Sequence, residues 1–222
     1  MSDPSAPERL ASVQASIARA ASLARRSPAD VTLVAVSKTH GPEAIRPLIE
    51  AGQRAFGENR VQEAQSKWLE LREEFPDVRL HLVGQLQSNK AEDAVALFDT
   101  IHSVDRPSLV EALAKAMDKS GRRPDCFLQV NIGEEPQKSG CTPAELAGLL
   151  DRARSAALPV VGLMCIPPAD LEPAPYFALL GALARRHDLP CLSMGMSGDY
   201  QTAVAIGATH VRVGTALFGE RV

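Results

Sequence analysis

The feature that most constrains the fold is a regular alternation between short apolar segments typical of buried strands and longer helical segments. Eight candidate strands begin near Val31, Arg54, Arg79, Thr100, Asp125, Leu158, Cys191 and Thr209. Eight strand–helix units in a row, with no spare strand, predict an α/β fold, a closed (β/α)8 TIM barrel. The alternative is an open doubly wound sheet, which usually carries a glycine-rich turn after its first strand. Here the first strand leads into Ser37-Lys38-Thr39-His40 instead.

Helical patterns account for the segments between the strands. An additional helix precedes the first strand, because apolar residues from Leu10 to Leu23 recur every three or four positions. Further helices are predicted over residues 61–74, 89–97, 107–119, 142–154, 174–186 and 200–206. Thr142-Pro-Ala-Glu145 is typical of a capping box with proline at the first helical position. No linker interrupts the pattern, so we expect residues 1–222 to form one barrel domain with an extra N-terminal helix.

Composition excludes several classes of function. Lys and Arg number 24 against 27 Asp and Glu, and aromatic residues make up only 4%, which argues against nucleic acid as a partner. The first residues are polar and no stretch of about 18 apolar residues occurs, so we expect neither a signal peptide nor a membrane span. The four cysteines form no C-x-x-C pair, and the histidines show no metal-ligand spacing. A cytoplasmic protein with reduced thiols and no metal is the expectation.

Lys38 directly follows the first apolar strand, where a barrel places its active-site mouth. Partial burial disfavours the charged form of a lysine, and the neutral amine is the form that attacks a carbonyl to give a Schiff base. The alternative is an ordinary lysine whose stem packs at the strand end while its ammonium group reaches water. The position makes Lys38 a candidate for covalent ligand binding.

A phosphate site is predicted where the seventh and eighth strands end. Residues 192–199 form a small-residue loop that places Ser197 before a helix, and the eighth strand delivers Arg212, Gly214 and Thr215. Backbone N–H groups, hydroxyls and a helix N-terminus suit a phosphate, which this type of barrel commonly binds there. Alternatively, the glycines only make turns and the Met residues only fill core. With the strand-end lysine, these residues leave two ligands open: pyridoxal 5′-phosphate (PLP), or a phosphorylated sugar in a Schiff-base aldolase.

The second and third strands also carry polar residues. Glu58 and Asn59 end the second strand, and we expect them either to bind ligand or to cap the next helix. His81 lies within the third strand, and we expect a core histidine with satisfied hydrogen bonds rather than a ligand.

Eight segments of the sequence, among them Ala35-Val-Ser-Lys38 and Leu192-Ser-Met-Gly-Met-Ser-Gly-Asp199, resemble the pyridoxal phosphate homeostasis proteins, a family with an alanine-racemase-like barrel. They cover nearly the whole chain in the family's order, at residues 35–38, 56–63, 81–90, 101–105, 130–140, 162–167, 192–199 and 209–219. The resemblance implies a fold-type-III PLP-binding barrel whose cofactor forms an internal aldimine with Lys38.

The resemblance also implies roles for the other candidate residues. Ser197, Gly214 and Thr215 would hold the phosphate, and Arg212 would face the pyridine nitrogen. A guanidinium keeps its own proton and cannot leave the ring protonated as a carboxylate would, so the cofactor becomes a weaker electron sink. The ring neighbours implied are Asn59 and Met196.

The function implied by the resemblance is a PLP-binding carrier in intracellular PLP (vitamin B6) homeostasis, without dedicated catalysis. Fold-type-III racemases carry a second, β-rich domain that supplies a catalytic tyrosine or cysteine. This sequence ends at Val222, so we expect the barrel without that domain and without the second group that two-base racemisation needs. The alternatives are a weak PLP-dependent amino-acid racemase using Lys38 as base, and the Schiff-base aldolase. We expect a monomer, with PLP and PLP-dependent apoenzymes as its partners.

Overall fold

Eight parallel strands close into a barrel in the computed structural model, which describes residues 4–219. The strands are β1 (Thr32–Val36), β2 (Ala55–Glu58), β3 (Arg79–Leu82), β4 (Thr100–Val104), β5 (Asp125–Val130), β6 (Val160–Cys165), β7 (Cys191–Ser193) and β8 (His210–Val213). Their order around the barrel follows the sequence, and β8 pairs with β1 from Thr32–His210 to Ala35–Val213. The predicted (β/α)8 barrel is therefore confirmed, with each strand beginning within about two residues of its expected position.

Helices surround the barrel and one precedes it. They are α1 (Ala6–Leu23), α2 (Pro42–Glu50), α3 (Val61–Glu74), α4 (Ala91–Leu97), α5 (Pro107–Ser120), α6 (Leu146–Ser155), α7 (Ala174–Arg186), α8 (Tyr200–Ile206) and α9 (Thr215–Phe218). The predicted N-terminal helix is α1, which buries Leu10, Val13 and Ile17 and packs against α8 and α9. None of the helices within residues 4–219 has the length and apolar composition needed to cross a membrane.

The predicted start of the sixth helix is wrong. Thr142 and Glu145 do make the reciprocal capping-box hydrogen bonds, but they close a turn, and α6 begins only at Leu146. The cause lies one residue earlier, where Cys141 forms a bridge with Val130 and extends the β5 ladder. This pairing holds the chain away from the helical path until the turn is complete.

Two further helices were not predicted. α2 carries Pro42 at its start and Pro47 inside it, and an internal proline removes a helical hydrogen bond, so the pattern is not typical of a helix. α9 has only four residues, Thr215–Phe218, which is too short for an apolar period to show. The predicted helix 89–97 begins as a 3-10 turn over Ser88–Lys90 and becomes α-helical at Ala91.

The alternation of side chains along each strand separates two kinds of interior. Outward-facing residues such as Phe56 pack with Trp68 and other helix residues in the main apolar core. Inward-facing residues fill the barrel, and several of them are polar: His102, Ser193 and Arg212 are all buried. The apolar layer therefore stabilises the barrel from outside, while its inside holds hydrogen-bonded groups below the mouth.

Candidate functional site

A cavity of about 600 Å³ opens at the carboxyl ends of the strands. All seven residues proposed from the sequence line it: Lys38, Asn59, Met196, Ser197, Arg212, Gly214 and Thr215. Val36, Val83 and Ile166 add apolar wall. Residues from the first two and the last two strand–helix units thus meet in one pocket, as expected at the mouth of this fold.

The opposite wall of the cavity was not proposed from the sequence. It is rich in amides and hydroxyls, with Gln85, Gln129, Gln137, Lys138 and Ser139 along it. Gln129 is an inward residue of β5, so the rule that polar residues at strand ends face the mouth could have found it. The others lie on loops, whose path the sequence pattern does not specify.

Lys38 lies in the turn that follows β1, and hydrogen bonds from outside the cavity fix the backbone of this turn. The next residue, Thr39, has a positive φ of 65°, which is unfavourable for a β-branched residue. Its N–H donates to Glu63 Oε1 at 2.6 Å, and that hydrogen bond holds the unusual conformation. Within residues 4–219, no hydrogen bond or ion pair engages the half-buried Lys38 amine itself, which faces the cavity.

A charged cluster of Glu58, Glu63 and Lys67 lies beneath this turn. Lys67 Nζ is 3.0 Å from Glu58 Oε1 and 3.0 Å from Glu63 Oε1, and it donates to the Ser37 carbonyl at 2.9 Å. Burial acts to raise the pKa of Glu63, but the hydrogen bonds from Thr39 and Lys67 outweigh it and leave that pKa below its usual range. The cluster thus anchors both sides of Lys38 through the backbone.

Glu58 neither lines the cavity nor caps a helix, contrary to the two roles expected of it. It faces outward from β2 and is fully buried against α3. Its Oε1 accepts hydrogen bonds from Ser37 Oγ at 2.6 Å and from Trp68 Nε1 at 2.9 Å. Asn59, the next residue, does line the cavity.

Arg212 is a buried cation at the floor of the cavity, 5% exposed. Its Nη1 donates to Ser193 Oγ at 2.5 Å and its Nη2 to the Cys165 carbonyl at 2.9 Å. No carboxylate among the described residues forms an ion pair with it. Burial lowers the pKa of the guanidinium below its usual range, yet an arginine keeps its proton at neutral pH. The site therefore holds a buried positive charge that has no ion-pair partner among the described residues.

A neutral chain of Ser193, His102 and His81 continues behind Arg212. His102 Nδ1 lies 2.8 Å from Ser193 Oγ, and His102 Nε2 lies 2.9 Å from His81 Nδ1. Burial, with repulsion from His210 and Arg79, lowers the pKa of His81 to about 3. Burial likewise lowers the pKa of His102 well below its usual range. The expectation that His81 is a hydrogen-bonded core histidine is confirmed.

The loop between β7 and α8 brings Ser197 to the end of β8. Gly195 has a φ of +91°, and a Cβ there would lie 2.5 Å from Ala203 Cβ, so the turn requires glycine. Ser197 Oγ accepts a hydrogen bond from Gly214 N at 3.3 Å. Thr215 follows as the first residue of α9. One part of the cavity is thus bordered by the hydroxyl groups of Ser197 and Thr215 and by the backbone at Gly214.

The two methionines of this loop behave differently. Met194 is fully buried and fills core, as the alternative interpretation of the loop expected. Met196 is 38% exposed and lines the cavity instead. Across residues 4–219, no group of three or more His, Cys, Asp or Glu side chains is arranged to hold a metal ion.

Comparison with known proteins identifies the family. The model of the alanine racemase N-terminal domain family matches residues 10–222. A pyridoxal phosphate homeostasis protein of Pseudomonas aeruginosa is 41% identical over 220 residues, covering 96% of this chain and 95% of that protein. One from Aquifex aeolicus is 39% identical over 224 residues, covering 96% and 97%. The chain belongs to the pyridoxal phosphate homeostasis protein family.

Solved structures agree with this family assignment. PipY of Synechococcus elongatus with PLP bound has a TM-score of 0.84 and 42% identity, over 97% of this chain and 100% of that one. An alanine racemase of Clostridium difficile has a TM-score of 0.69 and 14% identity, over 93% of this chain and 55% of that one. The racemase shares the fold of the barrel, and the homeostasis protein barrel spans about half of its length.

Proposed function

We propose that this protein binds PLP covalently at Lys38 and serves intracellular PLP homeostasis rather than a dedicated reaction. The observation that carries the proposal is the shared cavity, in which Lys38, the buried cation Arg212 and the Ser197–Thr215 border face one another. The solved PipY structure with PLP bound, at 42% identity, supports the same ligand. The pairing of a reactive amine with an anion site is what an aldehyde that carries a phosphate requires.

The residues present fit three of the polar groups of PLP: its aldehyde, its phosphate and its pyridine nitrogen. The Lys38 amine condenses with the aldehyde, forming a C=N bond and releasing one water. Ser197 Oγ, Thr215 and the backbone at Gly214 suit the phosphate. Arg212 donates to the pyridine nitrogen, because a guanidinium with no carboxylate partner in the described chain is free to give an N–H to a lone pair. PLP, when bound, supplies an electrophilic imine and an electron-withdrawing ring.

The composition of the cavity wall favours binding over two-base catalysis. Within the described cavity lining no tyrosine, histidine, cysteine or carboxylate stands opposite Lys38. The second lysine there, Lys138, is paired with Glu135 at 2.6 Å and donates to the Pro167 carbonyl at 2.9 Å. A weak PLP-dependent amino-acid racemase is the alternative, favoured by the barrel shared with alanine racemase.

The remaining parts of the proposal concern the cellular setting. We propose that residues 1–222 act as one domain and one monomer in the cytoplasm, and that PLP passes from it to PLP-dependent apoenzymes. The opening of the cavity at the barrel mouth supports the transfer of PLP, because the bound molecule remains reachable from solvent.

An absorption spectrum tests the proposal. The wild-type protein should show a visible band after incubation with PLP, Lys38→Ala should lose it, and Lys119→Ala should keep it, because Lys119 is an exposed residue of α5. A colourless wild-type protein that refuses PLP would overturn the proposal and favour the phosphorylated-sugar aldolase. Loss of optical rotation from an L-amino acid at about 1 s⁻¹ or faster would favour the racemase.

A further inference from the structure

The barrel interior contains a line of polar side chains that leads to Arg212 and that the proposed function does not use. Arg212 on β8 contacts Ser193 on β7, Ser193 contacts His102 on β4, and His102 contacts His81 on β3. The successive heavy-atom distances are 2.5, 2.8 and 2.9 Å. All four residues are at most 5% exposed, so water competes little for these hydrogen bonds.

The donor inventory gives this line a direction. Arginine has donors only, so Ser193 Oγ accepts from Arg212 and has one proton left to donate. His102 Nδ1 is the remaining partner of Ser193 in the described structure. His102 Nδ1 is then unprotonated, its Nε2–H donates to His81 Nδ1, and His81 carries its own proton on Nε2. Every hydrogen bond therefore points away from the cavity.

The opposite direction would leave a buried group unpaired. If His102 Nδ1 carried the proton, Ser193 would accept from both His102 and Arg212, and its hydroxyl hydrogen would have no acceptor in the described residues. Ser193 is fully buried, where an unsatisfied donor is unfavourable. Burial also lowers the pKa values of both imidazoles, which agrees with neutral rings that each carry one N–H.

We propose that Ser193, His102 and His81 are positioning residues that orient the Arg212 guanidinium, with both histidines held as Nε2–H tautomers. Ser193 and the Cys165 carbonyl occupy one N–H of each terminal nitrogen of Arg212. The guanidinium plane is thereby fixed, and the N–H groups left over are available to an acceptor in the cavity. The role toward the pyridine nitrogen rests on the proposed function, whereas the direction of the chain does not.

The first experiment reads the tautomers directly. Nitrogen-15 NMR of histidine-labelled protein without added PLP should show neutral rings for His81 and His102, each with its proton on Nε2. His81→Gln and His102→Gln assign the two signals. A proton on Nδ1 of His102, or a charged ring at neutral pH, would overturn the proposal. This measurement uses the unmodified chain and is independent of whether PLP binds.

The second experiment tests the effect on the ligand. Ser193→Ala should shift the absorption maximum of the PLP-loaded protein and weaken PLP retention about tenfold, since Arg212 loses the acceptor that orients it. The matched control is Ser103→Ala, because Ser103 is 1% exposed on β4 and its Oγ has no hydrogen-bond partner in the described structure. Ser103→Ala should leave the spectrum unchanged.

The two experiments separate the possible failures. A Ser193→Ala spectrum and affinity equal to those of the wild type would contradict the positioning role. A wild-type protein that never takes up PLP would instead refute the proposed function, while the NMR result would still decide the direction of the chain. If Ser193→Ala does not fold, the tautomers of the wild-type protein remain decisive.

Discussion

Two of the three cationic residues that line the cavity, Lys38 and Arg212, are held by opposite means. On the β1–β2 side, the charged cluster of Glu58, Glu63 and Lys67 forms hydrogen bonds with the backbone on either side of Lys38. The Lys38 amine itself has no hydrogen bond or ion pair in the described chain. On the β7–β8 side, neutral groups accept hydrogen bonds from the Arg212 guanidinium itself. This difference agrees with the proposed roles, in which Lys38 reacts and keeps a movable side chain on a rigid turn, whereas Arg212 orients a ring and is fixed at its charged end.

Strand alternation explains why the two supports differ. Glu58 faces outward from β2 into the layer between strands and α3, where Lys67 and Trp68 meet it. Ser193 and Arg212 face inward, where His102 is the next polar neighbour. In the outer layer one ammonium group is thus paired with carboxylates, whereas in the inner layer a single cation donates hydrogen bonds to uncharged groups.

The largest expected effect is the loss of the charged cluster. Lys67→Ala leaves the Glu58 carboxylate buried without its cation, which costs about 3–5 kcal/mol of unfolding free energy. Urea denaturation measures it. The double variant Glu58→Gln/Lys67→Met removes both charges and should recover part of the loss. A single-variant loss below about 1 kcal/mol would mean that the cluster is no stronger than a surface ion pair.

The neutral chain should give the protein a specific sensitivity to acid. The pKa of His81 is about 3 in the folded state and about 6.5 when unfolded, so the unfolded chain binds more protons in between. Stability is therefore complete above pH 6.5 and falls by about 2 kcal/mol for such a histidine between pH 6.5 and 4.5. Urea denaturation across this range should show the decline, and His81→Gln should make it shallower without abolishing it, because burial also lowers the pKa values of His102 and His210.

The charged cluster titrates in a lower window. Because the pKa of Glu63 is below 4.5 in the folded state, its contribution to the unfolding free energy is present above that pH and is lost as the pH falls further.

The comparison of the two supports fails if wild type and His81→Gln show the same slope of unfolding free energy against pH between pH 6.5 and 4.5.

Close packing on the β7–β8 side provides the next test. Gly195→Ala forces a left-handed residue and a 2.5 Å contact with Ala203, so we expect a loss of about 2 kcal/mol and weaker PLP retention. Gly198→Ala is the matched control, since a Cβ there meets nothing within 4 Å and its φ is ordinary. Its unfolding free energy should stay level or rise slightly. Thermal denaturation of both variants decides the point.

The smallest expected effect separates buried from exposed charge. Arg152 pairs with Glu111 at 2.8 Å, but their side chains are 54% and 64% exposed. Arg152→Ala should change the unfolding free energy by less than about 0.5 kcal/mol, because solvent screens such pairs. A loss of unfolding free energy as large as that of Lys67→Ala would show that buried and exposed ion pairs do not differ in this protein.

The sequence was informative where local pattern determines position. Apolar strands followed by polar residues were enough to place Lys38 and Arg212 at one mouth, because parallel strand ends converge in a barrel. The sequence did not predict that the Glu58 side chain faces outward from the barrel, because the face on which a strand residue lies depends on its register with the neighbouring strands. Nor could it pair His102 with Ser193, since they lie 91 residues apart and meet only across the closed barrel.

The pairing of β1 with β8 has a consequence for synthesis. The chain emerges from the ribosome with Lys38 early and Arg212 and Thr215 almost last, and the barrel cannot close before His210–Val213 is available. An unfinished or truncated polypeptide therefore has the amine but not the other half of its cavity. Capture of a ligand that spans both halves distinguishes completed molecules from nascent ones.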